Sequence, residues 1–154
     1  MAADGHLVRL DLPSAFELLD LVQVLSDRLS AVAGLDEEAT HWVSVAVRES
    51  VINAIKHGNR GDETKRVYVE FTPLELESPP GMAIRVRDEG PGFDPAGVPD
   101  PLHPDNLLKA SGRGIFLIRN FMDDVQLQRA PEGGMEIRMV KRAQPSATDD
   151  SARA

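Results

Sequence analysis

Three stretches of this chain combine groups that could do chemistry with glycines that let a ligand come close. The first is Glu49 with Asn53. Four residues apart on a helix, they share one face. By angle that face also carries Trp42, Val45 and Ala46, so a stripe that begins apolar ends in a carboxylate and an amide. Burying an unpaired carboxylate is costly, so this end of the stripe must meet water, a ligand or a metal. The second stretch is Val86-Arg87-Asp88-Glu89-Gly90-Pro91-Gly92-Phe93-Asp94, a strand that ends in an acid and closely spaced glycines. A carboxylate there can accept a hydrogen bond from an exocyclic amine such as that of adenine. Gly92, lacking a side chain, lets the backbone approach a flat ligand. The third is Ser111-Gly112-Arg113-Gly114-Ile115-Phe116, opening a helix. Free N–H groups and the helix dipole make an anion site at such a start, with Lys109 and Arg113 as cationic helpers. It is not a P-loop, because the Lys-Ser/Thr ending is absent.

Each stretch alone also has an ordinary reading. Two polar residues end many solvated helices, Asp and Gly are common where a strand turns into a loop, and a short Gly-x-Gly is a frequent helix entry. The elements that must position the three therefore matter. Val8, Leu10 and Leu12 alternate with Arg9 and Asp11, which predicts an edge strand. Ser14 and Glu17 have capping-box spacing, so a helix is expected from there, carrying Phe16, Leu19, Val22, Leu25 and Leu29 and ending at Gly34. Asp36 can cap a second helix running to about Lys56, apolar over much of its circumference and so widely buried on a sheet. His57-Gly58-Asn59-Arg60-Gly61-Asp62 is a break. Strands follow over 66–72 and 82–88.

Residues 89–112 hold five of the chain's eleven prolines and read as a long loop with a short helical piece near 104–110. A third helix carries Ile115, Ile118, Phe121 and Met122, and strands over 124–129 and 135–141 close the order. Strand, helix, helix, two strands, helix, two strands implies an α+β two-layer sandwich: a mostly antiparallel mixed sheet with three helices on one face. Residues 1–142 form the domain. Residues 143–154, without a large apolar side chain, are expected to be a disordered tail.

At 154 residues and 42% hydrophobic, the composition suits one globular domain. A net charge of -8 argues against direct nucleic-acid binding, which needs clustered Lys and Arg. No stretch approaches the length of a membrane span, and the first residues lack a secretory pattern. The chain has no cysteine, which agrees with a cytoplasmic protein. His6 and His103 lack companions for a zinc site, and Trp42 and Phe116 are expected in the core.

With all three motifs in this order, the chain resembles the bacterial anti-sigma-factor serine/threonine-protein kinases. More broadly it resembles the Bergerat ATP-binding fold of gyrase, sensor histidine kinases and the mismatch-repair and heat-shock chaperone ATPases. The motifs are Glu49-Ser50-Val51-Ile52-Asn53-Ala54-Ile55-Lys56-His57-Gly58, then Asp88 through Asp94, then Gly112-Arg113-Gly114-Ile115-Phe116-Leu117-Ile118. The resemblance implies ATP and Mg2+ as ligands, with Asn53 holding the metal and Glu49 as general base. It implies that Asp88 reads the adenine amino group, that Gly92 lies under the base, and that Gly112 and Gly114 belong to a phosphate-covering lid over 95–111. Gly58, Gly90, Phe93, Lys109, Ser111, Arg113 and Ile115 fall in the same nucleotide-binding motifs, and His57 either approaches the phosphates or simply ends its helix. The reaction implied is phosphate transfer to a serine or threonine of a small anti-sigma antagonist. The partners implied are that antagonist and a sequestered sigma factor or other regulator, with the kinase a homodimer. The alternatives are an ATP-gated binding module without turnover, and the catalytic part of a split histidine kinase. The family's last strand often begins Gly-Thr. Here Gly133-Gly134-Met135 departs from that pattern at the adenine end.

Overall fold

The computed structural model describes residues 7–92 and 113–144, and of 113–116 the backbone alone. The sheet follows from period-two alternation. In β2 (Arg66–Leu74) Val67, Val69 and Phe71 are buried while Arg66, Tyr68, Glu70 and Thr72 face away. β3 (Gly81–Arg87) buries Met82, Ile84 and Val86 in the same way. β1 (Val8–Pro13) lies at the edge, where Leu10 and Leu12 pair with Val69 and Val67. β4 (Asp124–Arg129) and β5 (Met135–Arg142) complete a five-stranded sheet in the order β1-β2-β3-β5-β4. All four pairings are antiparallel, so the largely antiparallel sheet expected from the element order is present.

Three helices cover the sheet's apolar face. These are α1 (Leu19–Val32), α2 (Glu37–Asn53) and α3 (Arg113–Phe121). Val22 of α1, Val43, Val47 and Val51 of α2, and Ile118 of α3 join the inward strand residues in one core. Asp36 caps α2 as its sequence position suggests, its carboxylate accepting the Ala39 N–H at 2.8 Å. Gly34, at φ +86, ends the preceding helical segment.

The start of α1 differs from expectation. Ser14 makes no capping bond. Its hydroxyl donates to the Lys65 carbonyl at 2.7 Å instead, and the chain enters α1 through a 3-10 turn, Phe16–Leu18. Phe16 is correspondingly exposed rather than part of the apolar face. The opposite face of the sheet is polar and self-paired. Glu136, 1% exposed, accepts from Arg85, Arg138 and Gln128, and Arg85 also reaches Glu132 and Glu70. Burial works to raise the Glu136 carboxyl's pKa, but these donors outweigh it and hold the group below its ordinary value.

The end of α3 is pinned. Phe121 stacks on Trp42 with ring centroids 3.6 Å apart, and the buried Lys141 ammonium donates to the Phe121 carbonyl at 2.7 Å. A cation at a helix C-terminus also complements its dipole. Trp42 is thus half-buried between two helices rather than in the central core. Since Trp42 lies near the start of α2, this contact sets the C-terminal end of α3 against the first half of α2.

Candidate functional site

Glu49 and Asn53 are both half-buried on α2, one turn apart and flanked by the buried Ser50 and Val51. The helix does not stop cleanly. It passes into a π-turn, Ala54–Gly58, in which the Asn59 N–H bonds the Ala54 carbonyl at 2.8 Å. Such π-type turns recur at functional sites because they re-aim the residues around them. Here the turn swings Gly58 against Asp88, at the end of β3.

Asp88 is 6% exposed. Its Oδ1 accepts two backbone N–H groups, from Gly90 at 2.9 Å and from Met135 at 3.1 Å. Its own N–H donates to the Met135 carbonyl at 3.0 Å, extending the β3–β5 ladder by one residue. Burial pushes the Asp88 carboxyl above the ordinary value, with the Met135 and Gly90 N–H groups pulling it part of the way back. Three glycines crowd it. A Cβ on Gly58 would lie 2.0 Å from Asp88 Oδ2, one on Gly134 would lie 2.0 Å from the Asp88 carbonyl oxygen, and one on Gly90 would lie 1.9 Å from the Gly58 carbonyl oxygen. No L side chain fits at any of the three without displacing backbone or the carboxylate.

The structure thus gathers Gly58, Asp88 and Gly90 in direct contact, at the end of the helix that displays Glu49 and Asn53. Gly92, at φ +70, adjoins them, with the Met135 sulfur 3.7 Å from where its Cβ would be. Met135 therefore fixes Asp88 through its backbone, a role that does not depend on its side chain, while the thioether lies at the Gly92 edge. His57 is exposed on the π-turn. Arg113, Gly114 and Ile115 open α3. Phe93, Lys109, Ser111 and Gly112, with the segment 95–111 expected to form a lid, lie outside the described residues, as do residues from 145 onward.

Sequence reasoning missed Gly134, Asn59 and Glu89. Gly134 looked like half of a hairpin turn, yet its missing side chain makes room for Asp88. Asn59 looked like a turn residue. It is 1% exposed and bridges three segments, one of them through the Glu89 N–H. The available signal was a polar amide immediately after the helix motif, which spacing alone does not separate from an ordinary turn asparagine.

This donor set fits a nucleotide. A buried carboxylate with one oxygen held by backbone N–H groups presents a fixed acceptor for an exocyclic amine. Gly92, half-buried beside the cluster, puts no side chain between its backbone and a flat base, whereas the space beside Gly90 is taken by the Gly58 carbonyl. An amide on the neighbouring helix suits a magnesium ion, which keeps most of its waters and takes few protein ligands.

The chain matches the histidine kinase-like ATPase domain over residues 13–141. It belongs to that family. Among its relatives is the serine-protein kinase RsbW of Listeria monocytogenes, 28% identical across 99% of this chain and 98% of that protein. The anti-sigma F factor of Oceanobacillus iheyensis is 35% identical across 69% of this chain and 71% of its own. That of Bacillus velezensis is 37% identical across 73% and 77%. The histidine kinase-like fold and the kinase and anti-sigma relatives agree with the three motifs. Among the described residues no helix is long and apolar enough to cross a membrane.

Proposed function

We propose that this chain binds ATP with Mg2+, transfers the terminal phosphate to a serine or threonine of a small anti-sigma antagonist protein, and sequesters a sigma factor or similar regulator. The observation that carries the reading is Asp88, buried and clamped by two N–H groups, at the end of the helix that displays Glu49 and Asn53. Asp88 accepts the adenine amino group. Asn53 holds the metal through its amide oxygen. When bound, Mg2+ supplies charge neutralisation across the triphosphate. Glu49 orients the substrate hydroxyl and takes its proton as that oxygen bonds to the terminal phosphorus; the bond to the bridging oxygen breaks and ADP leaves. Positioning and charge compensation provide most of the rate. We extend the reading to a homodimer working in the cytoplasm, without direct nucleic-acid contact, in keeping with a net charge of -8 and no cysteine.

The test is transfer of labelled terminal phosphate from Mg-ATP to candidate small antagonists, followed by mapping of the site. Acid-stable label on serine or threonine is expected. Acid-labile label on histidine would instead support the split histidine kinase, and ATP binding without transfer to an antagonist that demonstrably binds would support the non-catalytic module.

A further inference from the structure

Asn59 follows directly on Gly58, and its amide is fully engaged. Its nitrogen donates to Ser14 Oγ at 2.8 Å and to the Arg66 carbonyl at 3.0 Å, and its oxygen accepts the Glu89 N–H at 2.8 Å. Each partner is itself tied down. Ser14 Oγ donates to the Lys65 carbonyl at 2.7 Å. Glu89 Oε1 accepts the Arg66 N–H at 2.5 Å, and Glu89 Oε2 accepts the Tyr68 hydroxyl at 3.2 Å. One side chain therefore joins the turn after α2, the segment between β1 and α1, the start of β2, and the residue next to Asp88.

The geometry gives this junction a specific consequence. Gly58 precedes Asn59, Asp88 precedes Glu89, and Gly58 backs onto the Asp88 carboxylate with no room for a methyl group. The bond between the Asn59 oxygen and the Glu89 N–H thus holds the end of α2 and Asp88 at one spacing. An amide satisfied at both ends has a single orientation, so the spacing is set rather than averaged. We infer that Asn59 is a positioning residue that sets where Asp88 stands relative to Asn53 and Glu49, and thereby the purine selectivity of the site; this rests on the reading of Asp88 as the group that meets the base.

The experiment compares affinities for ATP and for inosine triphosphate, whose base has a carbonyl where adenine has the exocyclic amine. The full chain prefers ATP. In Asn59→Ala the ATP-to-inosine-triphosphate preference narrows by about tenfold, the size of effect expected when a hydrogen bond that fixes a recognition group is lost. Asp88→Asn abolishes the preference and serves as the reference. A folded Asn59→Ala protein of lower thermal midpoint but unchanged preference would overturn the inference, because a purely structural role predicts that outcome. If Asp88→Asn keeps the preference, the base reading fails first and the inference with it. Should Asn59→Ala not fold, the Ser14→Ala/Tyr68→Phe double variant removes supports from both ends of the junction and keeps Asn59. It narrows the preference about threefold, and an unchanged preference in that variant overturns the inference equally.

Discussion

The two ends of the site are built in different ways. At the Asp88 end, the proposed base end, the backbone fixes the carboxylate: two N–H groups clamp Asp88 and three glycines leave room for it and nothing else. At the other end, the proposed phosphate end, Glu49 and Asn53 are placed by helical register, half-buried on the last full turns of α2. The difference teaches where each kind of error would be felt. In the proposed function the rigid, backbone-defined end sets which base is accepted. In the same proposal the side-chain-defined end sets what is done to the phosphate, and changing it is expected to leave the fold intact.

Four outcomes would sharpen or break that comparison. The largest belongs to the phosphate end: Glu49→Ala lowers the rate of phosphate transfer by about 10²–10⁴-fold while ATP affinity stays within about twofold, measured by single-turnover labelling and calorimetry. Full-rate transfer would remove Glu49 as the base. Next, Gly58→Ala forces a methyl into the Asp88 carboxylate; overpacking of this kind costs about 1–3 kcal/mol, and ATP affinity falls with the thermal midpoint. If binding survives intact, the base end is less rigid than described.

The third outcome concerns protonation. A pKa raised by burial means that the folded protein holds the Asp88 proton more tightly than the unfolded chain does. The cost of ionising it is fully present above the folded-state pKa and is relieved as pH falls through that value toward the ordinary carboxylate range. Asp88→Asn keeps an oxygen for the Gly90 and Met135 N–H groups and removes that cost. The ligand-free thermal midpoint should rise by a few degrees at neutral pH, with the advantage shrinking as pH falls. An advantage that grows on acidification would contradict the burial account. The smallest effect is Gly61→Ala. Gly61 has φ +73 with nothing within 4 Å of its Cβ position, so the cost is backbone strain of about 1–2 kcal/mol, and nucleotide affinity is unchanged.

How much of this was legible beforehand divides along the same line. Helical register needs only spacing, so the Glu49–Asn53 face could be read directly, as could the Asp36 cap and the alternation of Val67, Val69 and Phe71. The largely antiparallel sheet and its one-sided helical cover followed from the order of elements, while the strand order did not. What could not be read is contact between segments far apart in sequence. Gly134 matters because it meets Asp88, 46 positions earlier in the chain. Asn59 matters because it meets Glu89, and Ser14 because it meets Lys65 and Asn59 rather than its own helix. Local propensity favoured a capping box at Ser14, and a tertiary hydrogen bond took the hydroxyl instead. The Met135 departure was visible as a changed residue, but only the ladder shows that its backbone, not its side chain, clamps Asp88.

The most direct test of the central claim is calorimetric titration of ATP into the full chain, with Mg2+ and with chelator, alongside Asn53→Ala. The account predicts saturable binding that weakens at least tenfold, about 1.4 kcal/mol, when Mg2+ is removed, and a marked loss of that dependence in Asn53→Ala. Absence of binding, or Mg2+ dependence that persists undiminished without Asn53, would contradict it.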